Sequence, residues 1–370
     1  MNFLIAFYVL SAMAINVVAQ NTNTVRFKES DEVLTNPGIG FMTFQRFNGD
    51  DLNAGIGWTE GKPIDYQEFD GNLENKDHPM TSIAYFRIYW RYLEPENGKY
   101  NWPMIDKALK TAHERRQTLL LRVACYGGGP EAVPDWYRSM VGGPDLLLAK
   151  WRVDANDPRY AEYFGKFITA LGKHYDGHPD LEAVDLAIVG FWGEGAGADL
   201  LTQGTRESLV NAYTDNFKKT PLIMLLTDEK TNKYGLSQAN VGWRIDCLGD
   251  LAIPHDYPVK HKGNPGWGHM ENIYPQRIIN LGMKDAWEKA PVSLEICHTL
   301  KQWKEERGYN MDDVNYIIDE SLKWHISSFN AKSSGVPADW KPLIDRWLKR
   351  MGSRFVLRSF SYPAVISPDE

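Results

Sequence analysis

Eight short β-rich apolar runs, most of them separated by stretches with helical spacing, constrain this chain more than any other feature. The runs are "NPGIGFMTF" (36–44), "SIAYFRIYW" (82–90), "TLLLRVACYG" (118–127), "VDLAIVGFW" (184–192), "PLIMLLTD" (221–228), "VGWRIDCLG" (241–249), "PVSLEICH" (291–298) and "HISSFNAKS" (325–333). Between them, "MIDKALKTAHERR" keeps Ile105, Leu109 and Ala112 on one helical face. "DPRYAEYFGKFITALGKHY" offers Asp157 as N-cap and Pro158 at the first helical position, with Tyr160, Phe164, Phe167 and Leu171 as its apolar face. Alternating strand and helix units imply a parallel sheet with helical crossovers. Eight units favour closure into a (β/α)8 TIM barrel, an α/β fold. An open nucleotide-binding sheet is disfavoured, because neither G-x-G-x-x-G after an early strand nor a P-loop occurs.

The predicted boundaries are a signal peptide over 1–19, the barrel over 20–352, and a C-terminal extension over 353–370 with one extra strand. "MNFLIAFYVLSAMAINVVA" is apolar and ends in small residues, with cleavage expected between Ala19 and Gln20, although the n-region has no Lys or Arg. A secreted or periplasmic protein is therefore expected, and no later segment is predicted to span a membrane. The formal net charge of −7 argues against a nucleic-acid partner. Cys125, Cys247 and Cys297 lack clustered spacing and are read as buried thiols.

In a closed barrel, chemistry gathers at the C-terminal ends of the strands. Glu194 follows the fourth run within "VGFWGEGAG", and Glu295 ends the seventh, so both are expected on one rim. Two carboxylates facing across a cleft suit glycosidic bond cleavage, one as proton donor and one as nucleophile or base. The apolar neighbour Trp192 favours a protonated acid, and Arg87 at the end of the second run is the cation expected beside the nucleophile.

These stretches resemble a known group. "FRIYWRYLEPENGKYNWPMIDKALKTA", "VPDWY", "GFWGE" and "SLEIC" are similar to the retaining (β/α)8 glycoside hydrolases, particularly the family 42 β-galactosidase type. The resemblance implies Glu194 as acid/base, Glu295 as nucleophile and Arg87 as the residue orienting the nucleophile. It also implies an Asn before the acid/base to bind the sugar 2-hydroxyl, whereas this chain has Gly193. The start "NPGIGF" is similar to uncharacterised secreted barrel proteins as well.

Around the pair, Trp136, Trp192 and Trp267 are candidates for stacking on a sugar ring, and His255 and His298 for its hydroxyls. Asp228 and Asp246 compete with Glu295 for the nucleophile role. No cofactor is expected, and no metal site either, since His255, His261 and His269 lack ligand spacing. The expected partner is a β-linked oligo- or polysaccharide, with a non-catalytic carbohydrate-binding barrel as the competing reading.

Overall fold

Parallel strands joined by crossovers have no free edge only when the last pairs with the first, and the alternating runs do this here. The computed structural model describes residues 21–48, 78–79, 81–124, 133–142, 154–251 and 268–365. The closed barrel consists of β1 (Gly40–Phe44), β2 (Ile83–Tyr89), β3 (Thr118–Ala124), β4 (Leu181–Asp185), β5 (Leu222–Leu225), β6 (Val241–Leu248), β7 (Val292–Ile296) and β8 (Ser328–Asn330). β1 sets Met42 against Ile83 of β2 on one side and Gly40 against Ser328 of β8 on the other, both parallel. The predicted (β/α)8 fold is thus observed.

Side chains alternate between the barrel interior and the helical layer, as the two-residue strand period requires. Met42, Phe44, Tyr85, Leu120, Ala183 and Ile223, with Ile83, form a separate apolar cluster. Two larger clusters include the strand residues that pack against helices. Helix Pro158–Tyr175 illustrates the second layer. Asp157 accepts from Arg159 N at 2.9 Å, and Tyr160, Phe164, Phe167 and Leu171 are buried. Each such burial is worth about 1.5–3 kcal/mol, against about 1 kcal/mol for the cap. Packing therefore holds the helix and the cap sets its start.

One element differs from the sequence expectation. The fourth strand is Leu181–Asp185, not 184–192. Leu186, Ala187, Ile188 and Val189 are buried as their apolarity demands, but they lie beyond the ladder. The segment around "VPDWY" contains a helix, Asp135–Val141, whose Tyr137 packs on Trp90 with ring centroids 5.0 Å apart.

Residues 33–353 form one compact unit containing the barrel. In the other, strand Ser359–Pro363 of the C-terminal tail pairs antiparallel with Thr22–Arg26, Val25 opposite Phe360. Among the described residues, no helix is long and apolar enough to cross a membrane. The predicted signal segment, 1–19, lies outside the described residues.

Candidate active site

The strand period turns a row of polar side chains inward above the apolar cluster. Asp185 at the end of β4 is fully buried, and Arg122 of β3 reaches it with Nε at 2.6 Å. Arg244 of β6 also pairs with Asp185. A carboxylate shared by two guanidiniums is a buried ion network that is costly to break at its centre, because removing Asp185 leaves two buried cations without their shared partner. Its remaining hydrogen bonds point at the next loop. Arg122 donates to the carbonyl of Trp192 at 3.1 Å, and Arg244 to the carbonyl of Gly193 at 2.7 Å.

That loop delivers Glu194. Gly190 has φ +97°, and a Cβ there would lie 2.4 Å from the backbone nitrogens of Gly195 and Ala196. The tight return is closed by Gly193 N to Gly190 O, Glu194 N to Phe191 O and Gly195 N to Val189 O, at 2.8–3.0 Å. At Gly193, φ is +78°, and a Cβ would meet that of Ala187 at 2.8 Å and Arg122 Cδ at 3.0 Å. The residue preceding the acid is therefore glycine for steric reasons, and an asparagine does not fit this turn.

Glu194 Oε1 accepts from Arg87 Nη1 at 3.0 Å and lies 3.8 Å from Arg122 Nη1. Arg87 itself lies between Phe44 and Trp192, its guanidinium carbon 4.8 and 5.8 Å from the two ring centres. Glu295 is buried at the end of β7, where Asn330 donates to Oε2 at 3.0 Å and Lys332 Nζ stands 3.1 Å from Oε1. Asp246 of β6, held by Arg244 at 3.2 Å, completes a triplet in which carboxylate oxygens of Glu194, Asp246 and Glu295 all lie within 4.8 Å of one another. Three acidic groups at this spacing could clamp a cation, but Arg87 and Lys332 already pair with the two glutamates.

The two glutamates hold their protons very differently. Burial, reinforced by the negative charges of Asp246 and Glu295, outweighs Arg87 and pushes Glu194 up to about 7. Burial acts the same way on Glu295, but Lys332, Arg87 and Arg122 overcome it and lower its carboxyl to about 2. One carboxyl thus retains its proton into the neutral range while its neighbour is ionised. Beneath them, the Tyr85 hydroxyl is buried without a hydrogen-bond partner beside the same cavity, which Met42, Arg122, Asp246, Glu295 and Asn330 also line.

Glu194, Glu295, Arg87 and Trp192 come together as the sequence suggested, but Arg87 is bonded to Glu194 rather than to Glu295. The nucleophile candidate takes its bonded cation from Lys332, two residues past β8, and sequence reasoning missed both Lys332 and Asn330. Their only signal was their place at the end of the eighth run. Trp136 donates from Nε1 to Glu94 O at 2.9 Å and meets Trp90 edge-on at 5.7 Å, so packing accounts for it. His298 takes a hydrogen bond from Arg307. Asp228 caps helix Glu229–Gln238 through Thr231. His255, His261, Trp267 and Cys125 lie outside the described residues. The two remaining cysteines, Cys247 and Cys297, are partly exposed rather than buried.

Residues 71–187 match the glycoside hydrolase family 42 profile, described as beta-galactosidase. That segment contains Arg87, Arg122 and Asp185 and stops before both glutamates. No curated protein matches the chain. Among solved structures, endo-glycoceramidase II from Rhodococcus sp. in a five-membered iminocyclitol complex is 15% identical, with a TM-score of 0.46, over 84% of this chain and 78% of its own. The exo-beta-1,4-mannosidase Op5Man5 from Opitutaceae bacterium strain TAV5 is 12% identical, TM-score 0.43, over 87% and 57%. A glycosylated endo-beta-1,4-xylanase from Gloeophyllum trabeum is 10% identical, TM-score 0.42, over 69% and 75%. By its barrel and its family segment, the chain is a glycoside hydrolase-type enzyme similar to family 42.

Proposed function

We propose that the protein is a retaining glycoside hydrolase that cleaves β-linked oligo- or polysaccharides, with Glu194 as acid/base and Glu295 as nucleophile. One observation carries the reading: two carboxylates with opposed proton affinities whose oxygens approach within 4.8 Å. Retention needs carboxyl groups roughly 5–5.5 Å apart, whereas inversion needs about 6.5–9.5 Å to admit water. The close spacing fits the first.

In the first step, the ionised Glu295 attacks the anomeric carbon. The bond to the leaving oxygen breaks as Glu194 gives that oxygen its proton, leaving a glycosyl ester on Glu295. Water then enters. Glu194, now a carboxylate beside Arg87, takes the water's proton as its oxygen replaces Glu295 on the sugar. Lys332 and Asn330 hold Glu295 ionised and oriented. Trp192, 38% exposed beside the acid, offers a flat apolar face to a sugar ring. The chain is proposed to be secreted or periplasmic, its first 19 residues acting as the export signal. A mature N-terminus at Gln20 would bear this out.

The test is sugar release from a panel of β-linked glycans by wild type, Glu295→Gln and Glu194→Gln, with the anomer of the first product read by proton NMR. Glu295→Gln is expected to lose nearly all release. Glu194→Gln should lose about 10²–10⁴-fold on unactivated glycans and less on aryl glycosides with good leaving groups. Release that survives in Glu295→Gln, or an inverted first product, would overturn the assignment.

A further inference from the structure

Asp246 has no part in the two-step cleavage described above, yet its carboxylate stands where that cleavage occurs. It lies near the end of β6, with an oxygen within 4.8 Å of oxygens of both Glu194 and Glu295. It lines the same cavity as Glu295. Its side chain is 24% exposed, so the carboxylate reaches the open rim, whereas that of Asp185 is closed inside the barrel.

A triangle of oxygens with sides this short leaves the reacting carbon little choice of place. The carbon must lie between Glu295, which attacks it, and Glu194, which protonates its leaving oxygen. It is then roughly 4 Å from Asp246, a distance at which unit charges interact strongly away from bulk water.

Charge decides what the aspartate does there. As the leaving oxygen departs, the carbon gains positive charge in an oxocarbenium-like transition state. Several neighbours oppose that charge: Arg87 bonded to Glu194, Arg122 3.8 Å from it, and Lys332 beside Glu295. Asp185 cannot offset them, because it is enclosed between Arg122 and Arg244. Glu295 gives up its charge as it bonds to the carbon, and Glu194 begins the step protonated. Asp246 stays negative from start to finish.

Its anchor leaves it free to act. Arg244 holds both oxygens from one nitrogen, at 3.2 and 3.4 Å, while also pairing with Asp185. A carboxylate has about four acceptor sites, so this grip leaves lone pairs on the rim side. The field of Asp246 is felt at this spot, since it is the strongest charge acting on Glu194, ahead of Arg87.

We propose that Asp246 is an electrostatic partner of the reacting carbon, its carboxylate stabilising the positive charge that develops between Glu194 and Glu295. The inference rests on the glycosidase reading. No bond to Asp246 forms and no proton passes to it. A fixed charge already aimed at the developing one stabilises it without reorganisation. An aspartate that only bound a hydroxyl, or only held the fold, would treat charged and neutral ligands alike.

The experiment compares two sugar mimics by calorimetry at mildly acidic pH. One is a protonated piperidine iminosugar with nitrogen in place of the anomeric carbon, and the other is the neutral 1,5-anhydro sugar. Both are configured as the sugar that wild type releases from the β-glycan panel. The background is Glu194→Gln, whose amide does not titrate, so changes in the acid's proton do not enter the comparison. Adding Asp246→Asn should weaken the iminosugar by about 10–10³-fold more than the neutral sugar, as loss of an opposite charge at this range implies. If that variant fails to fold by far-ultraviolet circular dichroism, Asp246→Ser is read in the same way. Equal losses for the two compounds would overturn the role of Asp246 and leave the glycosidase reading intact. No sugar release by wild type would overturn that reading, and this inference with it.

Discussion

Glu194 and Asp246 share a rim with oxygens no more than 4.8 Å apart, and the aspartate's negative charge helps keep the glutamate's proton on. Burial supplies the larger push, and Arg87 opposes both. The acid's proton affinity is therefore set by three elements that meet only in the folded barrel.

Asp246→Asn removes that repulsion and leaves the volume of the side chain. The alkaline limb of the kcat/KM profile, where the acid loses its proton, should move to lower pH. A purely structural aspartate would lower the whole curve without moving the limb. Initial rates across pH with one β-glycoside separate the two results.

Lys332→Met should act on the opposite limb. Glu295 must be ionised to attack, and its carboxyl is held near 2 largely by this ammonium against the effect of burial. Losing an opposite charge at contact distance shifts a carboxyl by about 1–3 units, here upward. The acidic limb should rise by that amount, with kcat falling at low pH more than at neutrality.

Glu194 also predicts an unusual slope in stability. Its folded value, about 7, lies above the ordinary 4.5, so between these limits the unfolded chain binds fewer protons than the folded one. The stabilisation is complete below about 4.5 and is lost as pH rises through 7. One such group contributes at most about 1.4 kcal/mol per pH unit. Urea midpoints of wild type should therefore fall across this window relative to Glu194→Gln, whose amide cannot titrate. Parallel curves would mean that the acid is not perturbed.

Gly193→Asn would recreate the residue that the resemblance implies before the acid. Instead of gaining a sugar contact, the variant should lose stability, by about 1–3 kcal/mol for overpacking against Ala187 and Arg122, with added cost from the positive φ. Thermal melting and KM together test this. A stable variant with a lower KM would show that the turn can accommodate a side chain.

The barrel was legible because each apolar run is long enough to bury and each helix carries its own face. The fourth strand was misplaced because apolarity reports burial and not ladder pairing. "LEAVD" holds the half-buried Glu182, which accepts from Thr118, and the fully buried Asp185, whose burial is tolerated only through Arg122 and Arg244. Those partners are 60 or so residues away or more, and no local pattern announces them. Glu194 and Glu295 were legible for the opposite reason, standing at strand ends in apolar and glycine-rich surroundings where a carboxylate needs a purpose. Lys332 in "NAKSS" has no such contrast with its neighbours. Its role exists only because β8 closes against β7, setting Asn330 beside Glu295.

Arg244 touches three things at once: Asp185 in the interior, Asp246 on the rim, and the carbonyl of Gly193 that precedes the acid. A single side chain thus couples the conformation of the fourth loop to the electrostatics contributed by the sixth strand. Swapping that loop to change which sugar is accepted would also retune the pH at which the enzyme works. Substitutions at the two places should then be non-additive, so laboratory evolution of this barrel would have to move them as a pair.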